Sequence, residues 1–378
     1  MTRRVLFVVN HLMGAGHLAR VLNLGRAFRD DGYDTHVLSG GFPVPQFDTT
    51  GMTLHQMPPI KSDGANFSRL LTLEDMPVDD DYHANRAAKA LETLHNIQPD
   101  ILIIELFPFG RRNLKQEYLE LLDGVAEMPK RPKVLCSIRD ILSPPSKPSK
   151  VTFAEDALTK WYDAVLVHSD PAAVPLETTW PVSEAIRPLL RYTGFVAPAL
   201  TPPKSREGAG EVLVSTGSGS FADPVFDAAL DAAGSGFGQQ LTWRLLLGRA
   251  DEDRLKQFQG RAGANVILEA ARPDFRDLLQ NAKAAISLCG YNSAMDLLQT
   301  GTPTVIVPYD ELSETEQKMR SDALVKLSGV ERVSFSDVIG PNLVDALQKV
   351  LAAPARGPSR FAFDGAARSV QICNDMLR

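Results

Sequence analysis

A histidine that follows two glycines at the start of a helix is well placed to take a proton from a hydroxyl. His17 stands so, in the run Gly14-Ala15-Gly16-His17, just after the apolar stretch Val5–Val9. An imidazole with a pKa near ~6.5 accepts protons at neutral pH. The glycines let backbone N–H groups approach a ligand, and a helix N-terminus favours negative charge. The simpler reading of His17 is a cap or ligand-positioning residue; the loop context favours a direct role. His11, on the strand side of the loop, reads as a supporting residue. A second loop, Thr216-Gly217-Ser218-Gly219-Ser220, adds hydroxyls but lacks the lysine of a P-loop. It suits a diphosphate held without a lysine, or else is a tight strand-to-helix turn. Neither loop is a GxGxxG fingerprint, which disfavours a dinucleotide-dependent oxidoreductase.

A third set of residues lies between Ala284 and Leu324. A strand ends at Gly290, Asn292 or Ser293 caps a helix, and Asp296 falls in the first turn. A carboxylate there can accept two hydrogen bonds from a ribose diol. Gly301-Thr302-Pro303 closes that helix, a buried strand follows, and Gln317 opens another helix from the same sheet edge. In the first half, Glu105 follows the buried run Ile101–Ile104, with Arg111 and Arg112 close behind, and Arg139 ends Val134–Ile138. Sites are built on loops at strand ends. These four side chains read as acceptor ligands or helpers of His17. The alternative is structural ion pairing, Arg139 with Asp140 and Glu105 with Arg111.

The elements needed to hold these residues repeat. Val5–Val9, a glycine loop, an apolar helical stripe from Leu18 to Phe28, Gly32 and Thr35–Leu38 read as β–loop–α–β. Strands follow at Ile101–Ile104, Val134–Ile138 and Ala164–His168, with helices at Tyr82–Ile97 and Lys115–Met128. The Pro/Gly-rich residues 197–210 read as a linker. The pattern then restarts, with strands Glu211–Ser215, Leu241–Leu247, Val266–Glu269, Ala284–Leu288 and Thr304–Pro308. Helices fit Pro224–Ala233, Asp274–Asn281, Ser293–Thr300, Glu314–Leu327 and Gly365–Leu377. The fold class is α/β: two Rossmann-like domains, 1–197 and 198–357, facing across a cleft, with 358–378 a closing helix that crosses back to the first.

The chain has 378 residues, enough for two or three domains at roughly 100–200 residues each. Its 40 basic and 46 acidic residues give a net charge of −6, a poor match to general nucleic-acid binding. No apolar run nears the ~20 residues of a membrane span, nor the ~7–15 of a secretory segment. Cys136, Cys289 and Cys373 are odd in number and lack CxxC spacing, against disulfides and zinc. The expected place is the cytoplasm. Asp79-Asp80-Asp81 looks like a metal-binding motif but precedes a helix, where acids suit the dipole. Residues 143–150 read as a mobile surface loop that could serve as a lid. Residues 60–78, with Phe67, Leu70, Leu71 and Leu73, could touch a membrane-borne acceptor, or pack on their own domain.

The segment from Gly290 to Gln317 resembles the donor domain of GT-B glycosyltransferases, closest to the group of the bacterial N-acetylglucosaminyltransferase that completes lipid II. The shared positions are Gly290 to Ser293, including Tyr291, then Asp296-Leu297-Leu298, Gly301 to Pro308, and Glu316-Gln317. Asp296 replaces a usual Glu, and Glu316 a common His. The resemblance implies that Asp296 holds the nucleotide ribose, Gln317 the donor sugar, and 216–220 the diphosphate, with Arg272 to Phe275 near the base. The loop at 14–17, with Gly14 and Gly16 on the acceptor side, matches the superfamily's N-terminal domain, where the histidine is often the base. Glu105 to Arg112, Ser137 to Leu142 and Tyr162 to Pro171 are similar to a bacterial group of predicted glycosyltransferases. The implied function is inverting, metal-independent transfer from a nucleotide diphosphate sugar, UDP-linked, to an acceptor hydroxyl, within cell-envelope or polysaccharide biosynthesis. The acceptor could be lipid-linked, at the inner face of a membrane. The rivals are a nucleotide-sugar hydrolase or epimerase, and a non-catalytic sugar-nucleotide-binding partner of another transferase.

Overall fold

The computed structural model describes residues 2–12, 14–45, 47–63, 69–216, 222–248, 252–310, 315–356 and 361–378. The expected diphosphate residues Gly217, Ser218, Gly219 and Ser220, and Phe67, therefore lie outside the described residues. The chain divides into two units, Met1–Pro198 with Phe361–Arg378, and Ala199–Arg360.

The first unit runs β1 (Arg4–Val9), α1 (Gly16–Asp30), β2 (Asp34–Ser39), β3 (Thr53–Gln56), β4 (Lys61–Ser62), β5 (Leu70–Leu71), α2 (Asp80–Ile97), β6 (Ile101–Glu105), α3 (Lys115–Ala126), β7 (Lys133–Arg139), α4 (Pro148–Trp161), β8 (Ala164–His168) and β9 (Leu190–Tyr192). Its seven-stranded sheet has the order β3-β2-β1-β6-β7-β8-β9, and every pair is parallel. Helices cover both faces of such a sheet, which is why β6 and β8 are buried at every position and read as unbroken apolar runs. The chain order reverses between β1 and β6. In doubly wound folds this switch point is where ligands bind.

The second unit runs β10 (Val212–Ser215), α5 (Asp223–Gly234), β11 (Trp243–Leu246), α6 (Glu252–Gln259), β12 (Val266–Glu269), α7 (Phe275–Asn281), β13 (Ala284–Ser287), α8 (Tyr291–Thr300), β14 (Thr304–Ile306), α9 (Glu316–Leu324), β15 (Val330–Arg332) and α10 (Gly340–Ala352). Its six-stranded parallel sheet, β12-β11-β10-β13-β14-β15, has the same winding, with its switch point between β10 and β13.

The last helix, α11 (Gly365–Met376), packs on α1 within the first unit. It buries Val370 and Cys373 in the cluster formed by Leu18, Val21, Leu22 and Phe28. Asn374 fixes it: its Oδ1 accepts from Arg3 Nη1 (2.8 Å) and the Tyr33 hydroxyl (2.7 Å), and its Nδ2 donates to Asp31 (2.9 Å). Asn374→Ala should destabilise the first unit by about 1–2 kcal/mol. A lower urea midpoint with unchanged slope is the expected reading; coincident midpoints would show the contact is neutral.

Two expectations need correction. Residues 199–210 are not a free linker, because α7 holds them. Gln280 Nε2 donates to Thr201 O (3.0 Å), and Asn281 Nδ2 donates to Ser205 O (2.8 Å) and Glu207 O (2.7 Å). Gly208 and Gly210, at φ +80° and +82°, make the turn into β10. The end of the expected lid is not a loop, since Pro148 opens α4, where proline's missing N–H does no harm. Within 60–78, Leu70 and Leu71 are buried in the β4–β5 ribbon, while Leu73 and Met76 are exposed. Asp79 caps α2, accepting from Tyr82 N at 2.8 Å. Among the described residues, no helix is long and apolar enough to cross a membrane.

Candidate functional site

The first unit gathers its polar groups at the switch point, at the carboxyl ends of β6, β7 and β8. Glu105 is the last residue of β6 and is buried. His17 is the second residue of α1, whose N-cap is Ala15, so it is not the cap. Its Nδ1 lies 2.8 Å from Glu105 Oε1. Arg20, one turn further along α1 and also buried, donates through Nη2 to the same carboxylate oxygen. On the other side, the Ser137 hydroxyl donates to Glu105 Oε2 at 2.7 Å. The Ser137 oxygen lies 3.0 Å from His168 Nε2, and His168 Nδ1 lies 2.9 Å from the Thr193 hydroxyl.

Burial holds His17 well below the ordinary imidazole value. The bond to Glu105 pulls it part of the way back, while Arg111 and Arg139 push it down. Burial alone would raise Glu105, but Arg20 and the hydrogen bond from His17 outweigh it and keep the carboxyl below its usual range. His17 is thus neutral at pH 7, with an ionised carboxylate on its Nδ1. A carboxylate only accepts, so the shorter contact to Glu105 puts the His17 proton on Nδ1 and a lone pair on Nε2, and Arg20 Nη2, 3.2 Å from the same nitrogen, donates to Glu105 instead.

The expected acceptor residues surround this pair unevenly. Arg111, in the left-handed region at φ +57°, donates from Nε to Asn10 O (2.7 Å). Asn10 is itself held by Arg86 (2.8 Å) and Tyr118 (2.8 Å), so a buried polar cluster sets the start of the 10–16 loop. Arg112 Nη1 donates to Phe109 O (2.6 Å). Arg139 ends β7 beside His168 in register. Gly14 and Gly16 are exposed, and a Cβ on Gly14 would meet nothing within 4 Å. His11 is buried, its Nε2 2.9 Å from Phe42 O, and has no place among the Glu105 contacts.

In the second unit the expected residues collect after β13 and β14. Gly290 is the N-cap of α8, so Asn292 and Ser293 lie inside the first turn rather than capping it. Asp296 consequently falls in the second turn, not the first. It is largely buried, and Arg276 Nε sits 3.0 Å from its Oδ1. Burial pushes its pKa up to about 6, against the pull of Arg276. Gly290 has an ordinary φ of −63°, and a Cβ there would meet nothing within 4 Å, so nothing in the packing demands glycine.

Gln317 clamps this region. Its Oε1 accepts from Cys289 N (3.0 Å) and Tyr309 N (3.1 Å), joining the ends of two strands. Arg320 Nη1 donates to Cys289 O (2.8 Å) and its guanidinium lies 5.9 Å from the Tyr291 ring, which is buried. Glu316 is buried at the start of α9. Arg272 is held by Glu207 (2.6 Å), Asp274 (2.6 Å) and Glu269 (3.3 Å), and Phe275 packs on the cluster of Leu278, Leu279 and Leu297. These contacts brace the start of α7. Among the described residues, no group of three or more His, Cys, Asp or Glu could hold a metal ion.

The sequence reading missed Arg20, Thr193, Arg320 and the part played by Ser137 and His168. Arg20 alone left a signal, being three residues from His17 and so on the same helix face.

Residues 212–362 match the glycosyltransferase family 28 C-terminal domain. Two curated relatives carry the name UDP-N-acetylglucosamine–N-acetylmuramyl-(pentapeptide) pyrophosphoryl-undecaprenol N-acetylglucosamine transferase. The protein from Desulfotalea psychrophila is 25% identical over 138 residues, 34% of this chain and 37% of its own. That from Gloeobacter violaceus is 33% identical over 108 residues, 27% and 30%. The chain thus spans about a third of the length of these relatives. The crystal structure of MurG from Acinetobacter baumannii, 13% identical, superposes with a TM-score of 0.58 over 98% of this chain and 95% of that one. The chain has the GT-B fold of two Rossmann-like domains, and its residues 212–362 match the glycosyltransferase family 28 C-terminal domain.

Proposed function

We propose that the chain transfers a sugar from a UDP-linked donor to an acceptor hydroxyl by a single inverting displacement. The observation that carries this reading is the His17–Glu105 pair at the switch point of the first sheet. His17 Nε2 takes the hydroxyl proton as the acceptor oxygen bonds to the anomeric carbon. The bond from that carbon to the diphosphate breaks, and the diphosphate leaves with its electron pair. Glu105 holds the imidazole in the required tautomer and balances the imidazolium that forms. The second unit supplies the donor site. The open approach at Gly290 and the N-terminal N–H groups of α8 suit the departing diphosphate, with no metal ion in the step. Asp296 takes the ribose once Arg276 gives way, and Gln317 keeps the strand ends in register while offering its amide to the sugar. The relatives' printed name makes UDP-N-acetylglucosamine the first donor to test and a lipid-linked saccharide the first acceptor class, met at a membrane face.

The test is UDP release from UDP-N-acetylglucosamine across an acceptor panel, with and without His17→Ala. His17→Ala should lower transfer by about two to four orders of magnitude with little change in donor affinity. Wild-type rates in that variant would remove His17 as base. Free sugar released at full rate without any acceptor would replace transfer by hydrolysis.

A further inference from the structure

Glu105 is gripped on both oxygens, and only one grip belongs to the proposed chemistry. Oε1 receives His17 and Arg20; Oε2 receives Ser137. Behind Ser137 stands His168, fully buried and unused by any step above. The donor roles along this line follow from one fact. The Glu105 carboxylate accepts only, so the single hydroxyl proton of Ser137 points at it. The Ser137 oxygen must then accept from His168 at 3.0 Å, which places the His168 proton on Nε2. Burial keeps His168 neutral, so its Nδ1 has a lone pair, 2.9 Å from the Thr193 oxygen, whose hydroxyl also lies 2.8 Å from Gly194 O.

We infer that His168 is a positioning residue for the reaction: His168 and Ser137 form a one-way hydrogen-bond chain that orients Glu105, and through it fixes the tautomer of His17. The role in turnover rests on the reading of His17 as the base; the chain itself does not. The charged and titratable groups facing the pair are Glu105 itself on β6, Arg20 on α1, Arg111 on the loop after β6, and Cys136 and Arg139 on β7.

The test reads tautomers directly, by nitrogen NMR of histidine-labelled protein at pH 7. In the wild type, His168 should carry its proton on Nε2 and His17 on Nδ1. Ser137→Ala should move the His17 tautomer ratio roughly five-fold toward Nε2–H, the weight of one hydrogen bond. His168→Leu should do the same, and His168→Gln, whose amide can donate in the place of Nε2–H, should restore the wild-type ratio. In the transfer assay kcat follows this ratio while donor KM holds. A wild-type His168 protonated on Nδ1 overturns the inference without any variant, and so does an unmoved His17 ratio in folded Ser137→Ala. A His17→Ala enzyme with full activity would instead sink the base reading and leave the tautomer result standing.

Discussion

Glu105→Ala should destabilise the first unit by about 3–5 kcal/mol, because it leaves the buried Arg20 guanidinium without its carboxylate. The same change removes the acceptor for His17 and Ser137, so activity and stability fall together and cannot be told apart from one variant. A pair of substitutions separates them. Glu105→Gln keeps the shape and one acceptor oxygen but not the charge. Adding Arg20→Met removes the stranded cation, and most of the lost stability should return. Transfer should stay about two orders of magnitude down, since a neutral amide does not balance the imidazolium. Urea melts and kcat, measured on the three variants, check both halves. A Glu105→Ala protein within about 1 kcal/mol of wild type would mean that Arg20 finds solvent or another partner. Full turnover in the double variant would take Glu105 out of the mechanism.

Acid should weaken the two units unequally. His11, His17 and His168 all have folded pKa values below the unfolded 6.5, His11 at about 4 and His168 at about 3, with burial the leading cause in each. As pH falls through 6.5 the unfolded chain takes up these protons and the folded chain does not. Stability present above 6.5 is therefore lost below it, by about 1.4 kcal/mol per pH unit for each group, or about 4 for the three. All three lie in the first unit. Glu105, whose folded value is depressed, adds its own loss only below the ordinary carboxylate range. In the second unit the sign reverses for Asp296. Its folded value of about 6 exceeds the unfolded 3.8, so the folded state binds the proton first and gains between those limits. Melts at pH 7.5 and 5 should show the first unit's transition moving sharply down while the second holds. Trp243 is the one tryptophan of the second unit, so fluorescence of Trp243→Phe reports the first alone. Parallel movement of both transitions, or none, would show that these histidines are not kept neutral.

The residues that betray themselves in the sequence are those whose surroundings are uniform. Val5–Val9 and Ala164–His168 are covered on both faces, so their apolar runs mark strands within a residue of their ends. Edge strand β3 has almost no buried position, and its Thr-Leu-His-Gln carries no pattern to read. The helix α10 did leave a stripe, Leu343, Ala346, Leu347 and Val350, which was overlooked. His17 and Glu105 could each be picked out from local context. Their pairing could not, because it depends on β6 lying beside β1, and strand order is set by the whole sheet. His168 was silent for the same reason: a buried imidazole is legible only through its partner. Asp296 shows how a shift of a turn matters. With Gly290 as the cap, the carboxylate moves from the solvent-facing start of α8 to a place beside Arg276.

The return of residues 361–378 to the first unit sets an order of events during synthesis. Pro198 leaves the ribosome 180 residues before Arg378. At roughly 5–20 residues per second, that is a wait of about 10–40 s. Throughout it, the nascent first unit shows the apolar flank of α1 that α11 later covers, so the domain begun first is the one finished last. Such a surface is what a holding chaperone binds, and a ribosome that stalls within the second unit would leave it open.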